Sequence, residues 1–391
     1  FNRIWHAPDT LTQSLPRTLV EPDVLVSVAW VDVRMQPMVF DVPPIEDRYF
    51  SVQFLDLFTH NAGTLNPLTA DGEGGAYLLA GPDWTEARPN GLSGVIQFET
   101  GLALVVIRID ATDQLEAAQA VQQQFDLRTL FEFTGRHRGA APLVVGYPVW
   151  SEDLAIGADF LSFANSMRTT FRPIEEERTM IRDFRRVGFR SWKQPQSVQM
   201  PREIRAAMDE GIAKALARVH AEARRLGTVR NGWRMLDDAY LSRPTLDGRY
   251  LTRAAAARIE PFGMPASEIL VMRTTTDVDG RPLDTAQHSY VIEFDEDALP
   301  PAAGFWSISA YDARSQEPVR NILGRHSIGH PTPPSFDGVL PVHVSAAPPA
   351  LVDSHWLPAP EGACLLVLRL YLPDAMALDG RWEPPTVRRV E

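Results

Sequence analysis

The chain of 391 residues contains a single cysteine, Cys364, set in an apolar run. No intrachain disulfide and no cysteine-based zinc site can be built from it, and nothing requires an oxidising compartment. Apolar stretches of roughly 18 residues or more are also lacking, so no membrane-spanning helix is expected. Positive charge is in deficit: 38 Lys and Arg stand against 50 Asp and Glu, a net charge of −12. Phosphate backbones need a basic field, so nucleic acid is excluded as a partner. The basic stretches 182–190 and 202–225 are interleaved with acids on helix-like patterns and read as solvated faces.

Nucleotide fingerprints are missing as well. There is no G-x-S-x-G elbow and no P-loop, and GEGGAY at 72–77 lacks the spacing and the strand-to-helix context of a dinucleotide site. His326 and His330 stand four apart, but the segment contains Gly329 and ends in Pro331, which argues against a helical histidine pair. No metal, nucleotide or other cofactor is therefore expected. The chain begins FNRIWH, without an initiator Met and without a signal-peptide pattern. It reads as trimmed, which leaves the compartment open between cytoplasmic and, with a removed leader, periplasmic or secreted.

What the chain does have is proline, 32 residues of it, suiting many short strands joined by stiff turns. It also repeats itself. Arg48 to Asn61 reads RYFSVQFLDLFTHN, and FWSISAYD returns at Phe305 to Asp312. Tyr49, Phe50, Ser51, Val52 and Asp56 match Phe305, Trp306, Ser307, Ile308 and Asp312. A proline pair precedes each copy (Pro43 and Pro44, Pro300 and Pro301), and an Asp-Gly turn follows each (Asp71-Gly72, Asp337-Gly338). Each half then closes on an apolar strand, with Gly101 before Arg108 and Gly362 before Arg369. Four landmarks in one order imply an internal duplication of a β domain. Between the copies the period turns helical, the longest stretch running through Ile204, Met208, Ile212, Leu216, Val219 and Leu226 to a stop at Gly227, a stripe expected to pack in a core. The expected fold is mainly β with a helical insert (α+β): an N-terminal β sandwich over 1–112, a mainly helical insert over 113–262 and a C-terminal β sandwich over 263–391.

Alternation places Phe50, Val52, Phe54 and Asp56 on one strand face, where a carboxylate is costly without a partner. Arg108 is the expected partner of Asp56, and Arg369 that of Asp312. The unduplicated polar residues are the functional candidates. Asp23, Asp32 and His60 are candidates for acid–base catalysis, with Trp30, Gln53, Thr59 and Asn61 as ligand-binding neighbours. In the C-terminal half Tyr311, Arg320 and Asn321 are candidates for holding an anionic or carbonyl group.

Together these residues resemble a bacterial family of paired domains of unknown function, DUF1254 followed by DUF1214. The N-terminal signature is matched at Pro22, Asp23, Leu25, Ser27, Ala29, Trp30 and Asp32, then at Arg48, Tyr49, Gln53, Asp56, Thr59 and Asn61. The C-terminal matches include Asp279-Gly280, Phe305-Trp306-Ser307, Tyr311, Asp337-Gly338, Trp356 to Pro360, Arg369, Tyr371, Gly380, Trp382 and Pro384-Pro385. Val24, Val26 and Phe50 depart from the family's Thr, Tyr and second Tyr. The resemblance implies two jelly-roll-like antiparallel sandwiches flanking helices and allows a homo-oligomer; it supplies no reaction. The functional expectation is an enzyme acting on a small organic molecule by hydrolysis, elimination or isomerisation, with Asp and His acid–base groups in a cleft between β domain and helices. The alternative is a non-catalytic carbohydrate- or ligand-binding protein, or an assembly protein.

Overall fold

A computed structural model gives the fold and describes residues 1–70, 72–135, 146, 149–168, 175, 177–189, 201–236, 248–329, 336–349 and 355–390. The N-terminal half contributes β1 (Trp5–His6), β2 (Val24–Asp32), β3 (Met38–Val42), β4 (Phe50–Asp56), β5 (Asn61–Leu65), β6 (Gly75–Ala80), β7 (Gly94–Gln97), β8 (Leu102–Asp110) and β9 (Asp126–Thr129). They form two sheets, ordered β1-β2-β8-β4-β5 and β7-β6-β3-β9. The C-terminal half contributes β10 (Thr228–Arg230), β11 (Trp233–Met235), β12 (Ile269–Thr274), β13 (Ser289–Asp295), β14 (Ala302–Asp312), β15 (Ser327–Gly329), β16 (Val339–Ser345), β17 (Trp356–Pro358), β18 (Cys364–Pro373) and β19 (Val387–Val390). Its sheets run β10-β11-β12-β18-β14-β15 and β17-β16-β13-β19. The class is α+β, and β2-β8-β4-β5 has the same order as β12-β18-β14-β15, strand for strand. The second sheets correspond in the same way, down to a parallel pair at one edge of each, β6 with β7 and β16 with β17. All other strand pairs among the described residues are antiparallel, so only the second sheet of each half is mixed.

Helix α1 (Leu115–Gln122) precedes β9; α2 (Leu130–Phe133), α3 (Phe160–Met167), α4 (Arg178–Phe184) and α5 (Arg202–Ala223) lie between β9 and β10; α6 (Tyr250–Ile259) lies between β11 and β12, and α7 (Ala375–Leu378) follows β18. The sandwiches reach further than the expected boundaries. Strand β9 pairs with β3, and β10 and β11 extend the sheet of β12, because pairing satisfies backbone groups that a helix-like pattern in the sequence left unassigned. Helix α5 is less buried than its stripe suggested: Ile204 is exposed and the rest of the stripe within the helix is half-buried, while the helix as a whole packs on α6. Gly227, just beyond it, has φ of 93°, and a Cβ there would overlap the Met235 carbonyl, so glycine is required where the chain turns into β10.

Each sandwich encloses its own core. Leu25, Phe40, Val52, Phe54, Val105 and Ile107 fill the first, and Tyr290, Phe294, Trp306, Ile308, Leu366 and Leu368 the second. The sheets containing β8 and β18 turn their other faces toward one another. Strands β8 and β18 are therefore covered on both sides, which is why they read as almost continuous apolar runs, broken only by Arg108 and Arg369. Between the two sheets, Phe305 stacks on Tyr371 (centroids 4.0 Å apart, planes at 15°), and Tyr49 meets both rings edge-on. The N-terminal segment threads the same layer, with Leu15 packed on the first sheet and Leu19 on the second. Truncating Phe305→Ala removes the centre of this layer and is expected to cost about 3 to 5 kcal/mol in denaturant unfolding. A loss below about 1 kcal/mol would show that the ring is not packed between the sheets.

Candidate functional site

Cross-strand register decides which polar residues meet. Arg108 lies opposite Ser51 and Val26, on the face away from the first core, whereas Asp56 follows Phe50, Val52 and Phe54 on the core face. The expected Asp56–Arg108 pair is thus ruled out by strand parity. Asp56 instead accepts the His60 backbone N–H at 3.0 Å, closing the β4–β5 hairpin, and its other oxygen is 3.8 Å from the His60 ring. Asp312 accepts the backbone N–H groups of Arg314 and Ser315, at 2.8 Å each, and so organises a turn; the expected pair with Arg369 is not formed.

The two arginines enter the layer between the sandwiches. Arg108 donates to Glu21 at 2.9 Å and to the Gln53 side-chain oxygen at 3.2 Å. Glu21 also accepts the Tyr371 hydroxyl at 3.2 Å. Burial opposes the charge of Glu21, but attraction to Arg108 and Arg369 and these hydrogen bonds outweigh it and hold the carboxyl below its usual range. Arg369 donates to the Tyr311 hydroxyl at 2.9 Å, and that hydroxyl donates to the Val20 carbonyl at 2.6 Å.

Two residues further on, Asp23 reaches across to the second sandwich. Its carboxylate accepts the Ser307 hydroxyl at 2.7 Å and the hydroxyl of Ser327. Burial pushes its pKa up, against the pull of the two serines and Arg369. Asp23, Ser307 and Ser327 border a cleft of about 600 Å³ between the sandwiches, along with Thr10, Arg325 and His326. His326 is half-buried, and burial lowers its pKa against the opposing effects of the Val319 backbone and the Asp23 carboxyl.

The remaining sequence candidates do not converge on this cleft. Asp32 is at the far end of β2 from Asp23, about 30 Å along an extended strand. It forms a local pair with Arg34 at 2.6 Å; partial burial opposes its charge, but the bonds to Arg34 prevail and lower its pKa. Trp30 is 44% exposed on the outer face of the same strand. Gln53 and Asn61 bond to one another (2.7 Å) and to the Gly263 carbonyl (2.8 and 3.1 Å), tying down the chain after α6. Thr59 sits in the hairpin with φ of 58° and accepts a bond from Arg253. Tyr311 is fully buried, Arg320 is exposed, and Asn321 braces its own loop through Val319 and Arg325. Asp23, Asp32 and His60 thus lie in separate regions.

Residues 1–129 match a family described as a protein of unknown function, DUF1254, and residues 268–375 match another described in the same words, DUF1214. The chain is a DUF1254–DUF1214 protein. Among solved structures, the VPA0106 protein from Vibrio parahaemolyticus is similar over 95% of this chain and 90% of its own, with a TM-score of 0.75 and 23% identity. An uncharacterized protein from Burkholderia cenocepacia is similar over 99% of this chain and 81% of its own, with a TM-score of 0.50 and 14% identity. These likenesses show the shared fold. No curated protein matches the chain.

In this DUF1254–DUF1214 protein one further grouping escaped the sequence. Asp56, His60 and Glu99 each bring one potential ligand atom within 4.8 Å of the others, the set that could hold a metal ion among the described residues. Glu99 lies far along the chain from the hairpin, and no local spacing links it to His60. His330, the other metal candidate weighed in the sequence, lies outside the described residues. No described helix is long and apolar enough to cross a membrane.

The raised pKa of Asp23 gives a signed expectation. As pH rises, the unfolded chain loses this proton near the ordinary aspartate value, about 3.9, while the folded carboxyl keeps it longer. Folding stability therefore falls across the window above that value. Asp23→Asn removes this loss, so its unfolding free energy should vary less with pH there than the wild type's in a urea series. Parallel curves would contradict a buried, titrating Asp23.

Proposed function

We propose that the protein is an enzyme acting on a small organic molecule, with the cleft between the sandwiches as its site. The observation that carries this is the joint presence, in one cleft of about 600 Å³, of Asp23, a carboxyl with a raised pKa, and His326, an imidazole with a lowered one. Both shifts favour the uncharged form, a carboxyl that keeps its proton longer and an imidazole that is free to accept one. In this reading His326 takes a proton from the bound molecule. Asp23, steadied by Ser307 and Ser327, supplies a proton in return, the division of labour between base and acid that hydrolysis, elimination and isomerisation require. The cleft also has a size typical of small-molecule sites and lies at a junction of domains, where such sites concentrate. The expected cleft between a β domain and the helices is thereby moved to the boundary of the two sandwiches.

The common strand order, the parallel pair at the same edge and the placement of Arg108 and Arg369 opposite Ser51 and Ser307 support descent of the two halves from one duplicated sandwich. Asp23 and His326 come from different halves, so on this reading the site arose at the seam that duplication created.

A thermal-shift screen of small esters, hydroxy acids, carbonyl compounds and sugars tests the proposal. Compounds that raise the wild-type Tm should lose at least about tenfold in affinity with His326→Ala and with Asp23→Asn, a difference of about 1.4 kcal/mol. Ligands that bind both variants as tightly as the wild type would place the site elsewhere.

A further inference from the structure

A second, smaller cavity of about 30 Å³ lies under the N-terminal segment, between the sandwiches and away from the cleft. Five charged residues reach it: Arg108, Arg273, Arg369, Glu21 and Glu260. Arg273 is committed to Glu260 at 2.9 Å and Arg108 to Glu21 at 2.9 Å, which leaves one guanidinium in excess of the carboxylates. That guanidinium belongs to Arg369. It is 3% exposed, forms no ion pair among the described residues, and uses one bond, to the Tyr311 hydroxyl, of the five N–H donors a guanidinium carries. Its charge is answered only at a distance, by Glu21 and Asp23, and a buried cation held that way is costly. Glu21 is already bonded to Arg108 and Tyr371, so it cannot neutralise both arginines.

We propose that this cavity binds a small monoanion of halide size, with Arg369 as its principal partner and Arg108 contributing from the opposite sandwich. Three features point to this ligand class. Among the groups that line the cavity the surplus is a single positive charge, Asp23 nearby being bonded to Ser307 and Ser327 rather than to an arginine, so one monovalent anion balances it. The volume exceeds the minimum that a single water needs but leaves no room for a substrate-sized organic anion. The groups that reach it come from both sandwiches, so the ion would act as an internal clamp. A water molecule fits the space but brings no charge to it.

The test is thermal unfolding of the full chain at low, matched ionic strength, in sodium chloride or bromide against sodium gluconate, whose anion is too large for the cavity. The wild type should gain about 2 °C or more in the halide salts, and Arg369→Gln should lose the difference between salts. Equal wild-type Tm values in halide and gluconate would overturn the proposal, as would an undiminished halide effect in Arg369→Gln. Should that variant fail to fold, bromide-soaked crystals of the wild type decide the matter. An anomalous peak beside Arg369 supports the site, and its absence refutes it.

Discussion

The ion pair between Glu21 and Arg108, buried where two β sandwiches meet, is the interaction on which the arrangement turns. Arg108 belongs to the central strand of one sheet, and its backbone position is fixed by register on both sides. Its guanidinium must then be satisfied in a layer from which water is largely removed, and Glu21 does this by lying between the sheets. That requirement draws in the N-terminal segment: Leu15 and Leu19 pack to either side of it, Val20 accepts the Tyr311 hydroxyl, and Asp23 is carried to Ser307 and Ser327. One buried charge thus links sequence order to the docking of the two halves. The gain is specificity of docking, since a buried pair repays its desolvation only when the geometry is met on both sides.

The same constraint shapes the proposed active site. Asp23 follows Glu21 by two residues, so anchoring Glu21 also holds Asp23 at the rim of the cleft. The serines that steady Asp23 lie in β14 and β15, and His326 directly precedes β15. A site assembled from both sandwiches would be sensitive to their docking, and that docking rests on rigid sheet faces and stacked rings.

Much of the fold was legible because strand alternation and the repeated landmarks are local signals. The segments Tyr49 to Asp56 and Phe305 to Asp312 do take corresponding places beside β8 and β18. The partners of Asp56 and Asp312 were misread because only one strand of each pair had its parity followed. Arg108 alternates with Ile107 and Ile109, which fill the core, and must therefore point away from Asp56. Of the candidate site residues, Asp23 reached the cleft, while Asp32, Gln53, Asn61 and Asn321 proved to secure turns and chain crossings. Spacing in the sequence could not tell these uses apart, because both ask for buried or half-buried polar groups. His326 was in view only as a possible metal ligand, and its place in one cleft with Asp23 depends on the packing of two sandwiches, which no periodicity encodes.

The most direct test of the central role of Glu21 and Arg108 is a double-mutant cycle with Glu21→Gln and Arg108→Met, read by urea unfolding at neutral pH. The account predicts a coupling energy of at least about 1.5 kcal/mol, because either single change strands a buried polar partner that the double variant removes. Additive effects, with coupling below about 0.5 kcal/mol, would contradict it.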